Sequence, residues 1–191
     1  MLGLELEQAT LEAAEEASRR LPAAAWLSLN TSPDLITDQR FLPDLVARSP
    51  RRLVLEVTEH SVVPDYQALL AALERLDHGA RLAVDDAGAG FASLRHIIEL
   101  RPDFVKLDIG LIRGIDSDQA RQSIVAGMVH FASTTGCVLI GEGIETEGER
   151  QTLQALGLTF GQGYLFGRPQ ALPAETVPAK AVEPRAPALV A

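Results

Sequence analysis

Short apolar runs alternate with longer amphipathic stretches along this chain. Residues 26–30, 53–57, 81–85, 104–108 and 138–141 are compact runs with apolar residues, that at 53–57 rich in branched ones, and Thr159-Phe160 is a short sixth. Runs of this length and composition predict strands. Between them lie segments of helical period. Residues 4–21 form one, ended by Pro22, and residues 33–48 form another, broken near Pro43. Residues 64–78 place Leu69, Leu70, Leu73 and Leu76 on one face, with Gly79 suited to capping the end. A glycine-rich stretch leads into a helix from Ser93. Residues 118–135 gather Ile124, Val125, Met128, Val129 and Ala132 on one face before Gly136. Thr146 and Glu149 have the spacing of a capping box for a helix ending near Gly157.

Six strands alternating with helices predict an α/β fold with a parallel sheet. The polar residues add a second pattern. Asn30, Glu56, Asp85 with Asp86, Lys106 with Asp108, and Glu142 fall at or near the ends of five successive strands. Catalytic groups of a (β/α) barrel sit at the C-terminal ends of its strands. Carboxylates confined there cost several kcal/mol each unless they are paired or bind a cation. Six visible strands against the eight of a closed barrel predict an incomplete TIM-like (β/α) barrel short of two strands. That barrel domain is expected over residues 1–170. The Ala/Pro-rich residues 171–191 are expected to be a disordered tail.

Composition narrows the chemistry. The 191 residues are 47% apolar and 23% charged, as in globular domains, with a net charge of −9 from 26 acidic and 17 basic residues. Such a chain has no broad basic face for DNA. An anionic ligand must be met by metal ions or by a few placed cations. The single cysteine, Cys137, excludes an internal disulfide and is expected to be a buried structural thiol. The histidines His60, His78, His96 and His130 show no ligand spacing. No apolar run approaches the ~20 residues of a membrane span, and the start lacks a signal-peptide pattern, so a cytoplasmic location is expected.

Oxygen donors from Asp, Glu and Asn suit Mg2+ or Mn2+. Adjacent carboxylates such as Asp85-Asp86 can serve two metals at once, an arrangement suited to in-line displacement at phosphorus. Lys106 and Asp108 are two residues apart and are expected on one side of their strand. Gly88-Ala89-Gly90 lacks the features of a phosphate loop and is read as a mobile loop over the site.

Six ordered segments carry a resemblance. They are Leu29-Asn30-Thr31-Ser32, Leu55-Glu56-Val57-Thr58-Glu59, Asp85-Asp86-Ala87-Gly88-Ala89-Gly90, Lys106-Leu107-Asp108, Glu142-Gly143-Ile144-Glu145-Thr146 and Gln162-Gly163-Tyr164. In order and spacing they resemble the EAL domains that hydrolyse cyclic di-GMP. The resemblance implies a (β/α) barrel with two Mg2+ or Mn2+ ions and a linear di-GMP product. It implies Asn30, Glu56, Asp85, Asp86 and Glu142 as metal ligands, and Lys106 on the hydrolytic water with Asp108 beside it. It further implies that Glu145 and Gln162 complete the substrate-side shell and that Glu59 anchors the loop after Asp86. Family members often carry an upstream sensor domain, and a homodimer is a possible partner state.

Two departures qualify these expectations. The family loop usually reads Asp-Asp-Phe-Gly-Thr-Gly-Tyr, whereas Ala87 and Ala89 replace the aromatic and the hydroxyl here. The chain also has no Glu-Ala-Leu segment, which in the family lies on an early strand and supplies a metal-ligand Glu, so the resemblance implies that the first two barrel strands are the missing ones. Weak metal binding and slow or absent turnover are therefore expected of the chain as given. A degenerate module that binds cyclic di-GMP or a protein partner without catalysis is the alternative. A barrel enzyme using Lys106 as a proton-transfer base is the third reading.

Overall fold

The computed structural model describes residues 2–22, 24–58, 60–76, 79–88 and 91–172. The expected tail therefore falls almost wholly outside the described residues. Two compact units emerge: residues 1–57 with 61–82 form the body of the first, and residues 58–60 with 83–169 that of the second.

The first unit opens with helix α1 (Leu2–Ser18), followed by strand β1 (Leu27–Asn30). Helices α2 (Pro33–Asp38) and α3 (Leu42–Arg48) lead to strand β2 (Leu53–Thr58), whose last residue belongs to the second unit. The break between α2 and α3 comes earlier than Pro43 suggests. Gln39 turns left-handed at φ 55 and ends α2, while Pro43 sits in the first turn of α3. A proline is harmless there, because the first-turn N–H groups have no intrahelical partner. β1 and β2 pair in parallel, with Leu29 opposite Leu55 and Asn30 opposite Glu56. Helix α4 (Tyr66–Glu74) follows, capped by the Asp65 carboxylate on the Gln67 and Ala68 N–H groups. It stops at Arg75 rather than running on to Gly79. Leu35, Leu45, Leu53, Leu55 and Leu69 are fully buried and form this unit's core.

The second unit takes up strand β3 (Ala80–Ala87) from Ala83 onward. It continues through helix α5 (Phe91–Leu100), strand β4 (Phe104–Leu107), helix α6 (Ile109–Ile112) and a 3-10 turn at Ile115–Ser117. Helix α7 (Gln119–Thr135), strand β5 (Val138–Gly141), helix α8 (Glu147–Leu156) and strand β6 (Phe160–Gly161) complete it. β3–β4, β4–β5 and β5–β6 are all parallel. α7 is capped at the start by Asp118 and at the end by Gly136, whose φ of 82 is easy only for glycine. Of its predicted apolar face, Val125 and Ala132 are buried while Ile124 is 52% exposed. Cys137 is half-buried rather than enclosed.

The strand ends are held by central apolar residues. Leu107, Ile112, Ile144 and Leu153 have no exposed surface. Leu107 sits in β4 between β3 and β5, opposite Ala87 on one side and Gly141 on the other. Leu107→Ala is expected to cost about 3 kcal/mol, since the neighbouring strands cannot collapse into the space. A urea titration checks this; an unfolding free energy within about 0.5 kcal/mol of wild type would contradict it.

Candidate metal and phosphate-ester site

In the second unit the polar strand ends converge. The register between β3 and β4 shifts between Val84 and Ala87, and Asp86 adopts a left-handed φ of 59. Consecutive side chains of a regular strand point to opposite faces. The irregularity at Asp85-Asp86 relieves that constraint, and aspartate tolerates the left-handed region better than most residues. Asp85, Asp86 and Glu142 each offer a carboxylate oxygen within 4.8 Å of the others. The Asp86 N–H donates to Asp85 Oδ1 at 3.0 Å.

Lys106 projects into this cluster from β4. Its Nζ lies 3.0 Å from Asp85 Oδ1 and 2.8 Å from Glu142 Oε1. The lysine side chain is 8% exposed, and those of Asp85 and Glu142 are 13% and 15% exposed. Two like charges at such separation repel by about 3 kcal/mol at an effective dielectric near 20. One ammonium offsets part of that cost, but three carboxylates outnumber it. Asp86 bears the remainder. Burial, then the charges of Asp85 and Asp108, push its carboxyl above the usual range, with Lys106 and His60 opposing. A crowded all-oxygen donor set short of positive charge fits a hard divalent cation.

The other expected residues take distinct places. Asp108 does not stay on the strand beside Lys106 but becomes the N-cap of α6, accepting the Gly110 N–H at 2.7 Å. Its own N–H bonds the Ala87 carbonyl at 3.0 Å. Gln162 follows β6 and donates its side-chain amide to Glu142 Oε1. The next residue, Gly163, has φ 154, and a Cβ there would collide with the Ile144 backbone. Only glycine lets the chain pass so close to the loop after β5. Glu145 pairs with Arg113 at the end of α6. Arg113, Glu145, Gln162, Tyr164, Phe166 and Arg168 help line a groove of about 760 Å³. The Arg168 guanidinium lies over the Tyr164 ring, 4.3 Å from its centroid.

The capping box expected at Thr146 and Glu149 is formed, and it does more than cap. Glu149 is 3% exposed and accepts the N–H groups of Glu145, Thr146 and Gly114. Burial alone would raise its pKa, but these three backbone donors prevail and hold the carboxyl below its usual range.

In the first unit Asn30 and Glu56 face each other on β1 and β2. Glu56 is 7% exposed, and Ser28 donates its hydroxyl to Glu56 Oε1 at 2.6 Å. Ser28 shares a face of β1 with Asn30, which was the available signal for it. The turn just after Asn30 is held by Glu7 of α1, whose two oxygens accept the Ser32 N–H and hydroxyl at 2.6 and 2.7 Å. Glu59, Ala89 and Gly90 lie outside the described residues.

Residues 2–169 match the EAL domain family. The cyclic di-GMP phosphodiesterase PdeF of Escherichia coli K12 is 31% identical over 170 residues, 85% of this chain and 23% of that protein. The bifunctional diguanylate cyclase/cyclic di-GMP phosphodiesterase MucR of Pseudomonas aeruginosa is 37% identical over 127 residues, 66% of this chain and 18% of that protein. This chain thus spans about a quarter or less of the length of these relatives. Among solved structures, a manganese and cyclic di-GMP complex of Klebsiella pneumoniae BlrP1 at pH 6 superposes with a TM-score of 0.77 at 29% identity, covering 86% of this chain and 44% of that one. The EAL domain of Mycobacterium smegmatis DcpA gives 0.75 at 28% identity, covering 88% and 80%.

The fold is α/β, with parallel strands matching part of a TIM-like barrel. The chain belongs to the EAL domain family, and it resembles cyclic di-GMP phosphodiesterases within it. No helix among the described residues is long and apolar enough to cross a membrane.

Lys106→Met is expected to destabilise the metal-free chain by about 3 kcal/mol, because Asp85 and Glu142 lose their buried counter-charge. Added Mn2+ is expected to restore much of the lost melting temperature, since a cation can replace the ammonium. An unchanged melting temperature, or no recovery with Mn2+, would contradict the pairing described.

Proposed function

We propose that this EAL domain hydrolyses one phosphodiester bond of cyclic di-GMP, giving linear di-GMP, with Mg2+ or Mn2+ as cofactor. The observation that carries this reading is the Lys106 ammonium set between Asp85 and Glu142, with Asp86 in the same few ångströms. Asp85, Asp86 and Glu142 are the cation ligands in the second unit, and Asn30 and Glu56 are the candidates in the first. Divalent ions held there would polarise the phosphoryl oxygens and lower the pKa of water.

The chain's own residues supply the remaining roles. Lys106 orients the attacking water and faces the charge that builds on the phosphoryl group. Asp108 adds its charge to the cluster at Asp86. Gln162 fixes the rotamer of Glu142 through its amide. The water oxygen bonds to phosphorus as one ester P–O bond breaks. The proton lost by the attacking water is balanced by the one taken up by the leaving alkoxide, so the ring opens to a linear dinucleotide.

The groove beside Gln162 suits the rest of such a ligand. Tyr164 is 51% exposed and offers a ring for a purine, with Arg168 against it. Arg113 and Arg168 supply local positive charge in a chain of net charge −9. A purine nucleotide carrying phosphodiesters meets both features. BlrP1 of Klebsiella pneumoniae and MucR of Pseudomonas aeruginosa have structures described as cyclic di-GMP complexes. A reading of Lys106 as a general base is disfavoured, because an ammonium held by two carboxylates is placed to donate.

Purified chain incubated with cyclic di-GMP and Mn2+ is expected to yield linear di-GMP by chromatography, but slowly, because the chain lacks the Glu-Ala-Leu carboxylate. Lys106→Ala is expected to slow kcat about 100-fold or more, the scale for one oriented donor. Binding by calorimetry without linear product would instead establish a non-catalytic binding module. Neither binding nor product would overturn both.

A further inference from the structure

The Glu149 carboxylate accepts two hydrogen bonds more than a capping box requires. A capping box needs the Thr146 hydroxyl on the Glu149 N–H and the Glu149 carboxylate on the Thr146 N–H, and both are present at 3.2 and 3.0 Å. Glu149 Oε2 also takes the Glu145 N–H at 2.9 Å. The other oxygen, Oε1, leaves the helix altogether and accepts the Gly114 N–H at 2.9 Å, 35 residues away in sequence. Gly114 is left-handed at φ 72 and follows Arg113 directly.

One buried carboxylate therefore joins two segments that both reach the groove. On one side is Glu145, in the loop after β5. On the other is Arg113, at the end of α6. Their side chains meet as an ion pair. The fit behind them is close: a Cβ on Gly148 would come within 2.8 Å of Asp116 Oδ2, so the first turn of α8 is packed hard on the 3-10 turn. Charge-assisted bonds to three backbone donors are strong and directional. They fix the Gly114 and Glu145 backbones relative to one another, and with them the roots of Arg113 and Glu145.

We propose that Glu149 is a positioning residue for the ligand groove, setting the separation of Arg113 and Glu145 so that Arg113 meets an anionic ligand without reorganising. The inference rests on the reading that this groove takes cyclic di-GMP. Pre-organisation of a charged side chain lowers the ordering cost of binding and shows in affinity.

The test is a double-mutant cycle on the full chain, reading the cyclic di-GMP Kd by calorimetry in Ca2+. A glutamine at position 149 has one acceptor oxygen in place of two, so Glu149→Gln cannot serve α8 and Gly114 together. It is expected to weaken binding about 10-fold in wild type and less than 2-fold in an Arg113→Met background, because the two act as a unit. Thr146→Ala removes the helix cap but leaves the Gly114 bond, and is expected to lower the melting temperature with Kd within 2-fold of wild type. Equal loss from Glu149→Gln in both backgrounds, or equal loss from Thr146→Ala, would reduce Glu149 to a helix cap and overturn the proposal. Wild-type chain that takes no cyclic di-GMP overturns the functional reading instead. Amide exchange then decides the clamp: about 10-fold faster exchange at Gly114 in Glu149→Gln supports it, and unchanged exchange removes it.

Discussion

The second unit is organised around the Lys106 ammonium and the carboxylates of Asp85 and Glu142. Three strands contribute to this contact, and none could keep its charge there alone. A carboxylate with little exposed surface loses several kcal/mol of hydration, and a neighbouring carboxylate adds to the cost. Lys106 repays part of this at two places at once. The residual deficit falls on Asp86, where burial and like charge both oppose ionisation. A structure that keeps such a deficit holds a standing preference for a cation, and this preference links the fold to the proposed chemistry.

Backbone irregularity does the placing. A regular β3 would direct Asp85 and Asp86 to opposite faces, and only one could reach Glu142. The register shift and the left-handed φ at Asp86 bring both to the cluster. Gly163 serves the same end on the far side. By allowing the chain against the Ile144 backbone, it keeps Gln162 on Glu142. Each irregular residue costs conformational energy, and each sits within one residue of a candidate site residue.

What the sequence disclosed follows from the range of the interactions involved. The strand-end positions of Asn30, Glu56, Asp85, Lys106 and Glu142 were legible because alternation and strand length are local properties. The capping box at Thr146 and Glu149 was legible for the same reason, its partners lying three residues apart. The third bond of Glu149 was not, since Gly114 is 35 residues away and no period connects them. The Ser28 hydroxyl on Glu56 and the Glu7 carboxylate on Ser32 span 28 and 25 residues and were equally hidden. The pattern puts Asp108 on the strand because a strand and a helix N-cap differ there by one residue. A carboxylate that can accept the Gly110 N–H favours the cap. The end of α2 at Gln39 is invisible in the sequence because a left-handed glutamine carries no compositional mark, whereas Pro43 marks a position where proline is tolerated.

The loop from Glu142 to Thr146 shows how these levels meet. Glu142 continues the β4–β5 ladder by donating its N–H to the Leu107 carbonyl, so the candidate ligand begins where regular pairing ends. Two residues on, the Ile144 side chain is fully buried and its N–H bonds the Gln162 carbonyl, which ties the loop to the end of β6. Gly143 between them is left-handed at φ 68, and a Cβ there would strike Ile109. Glu145 and Thr146 then give their N–H groups to Glu149. Every backbone donor just named is satisfied within the unit, so the loop needs no ligand to hold its shape. A site whose carboxylates outnumber their counter-charge while these backbone donors are satisfied within the unit takes its shape without a cation to fold around.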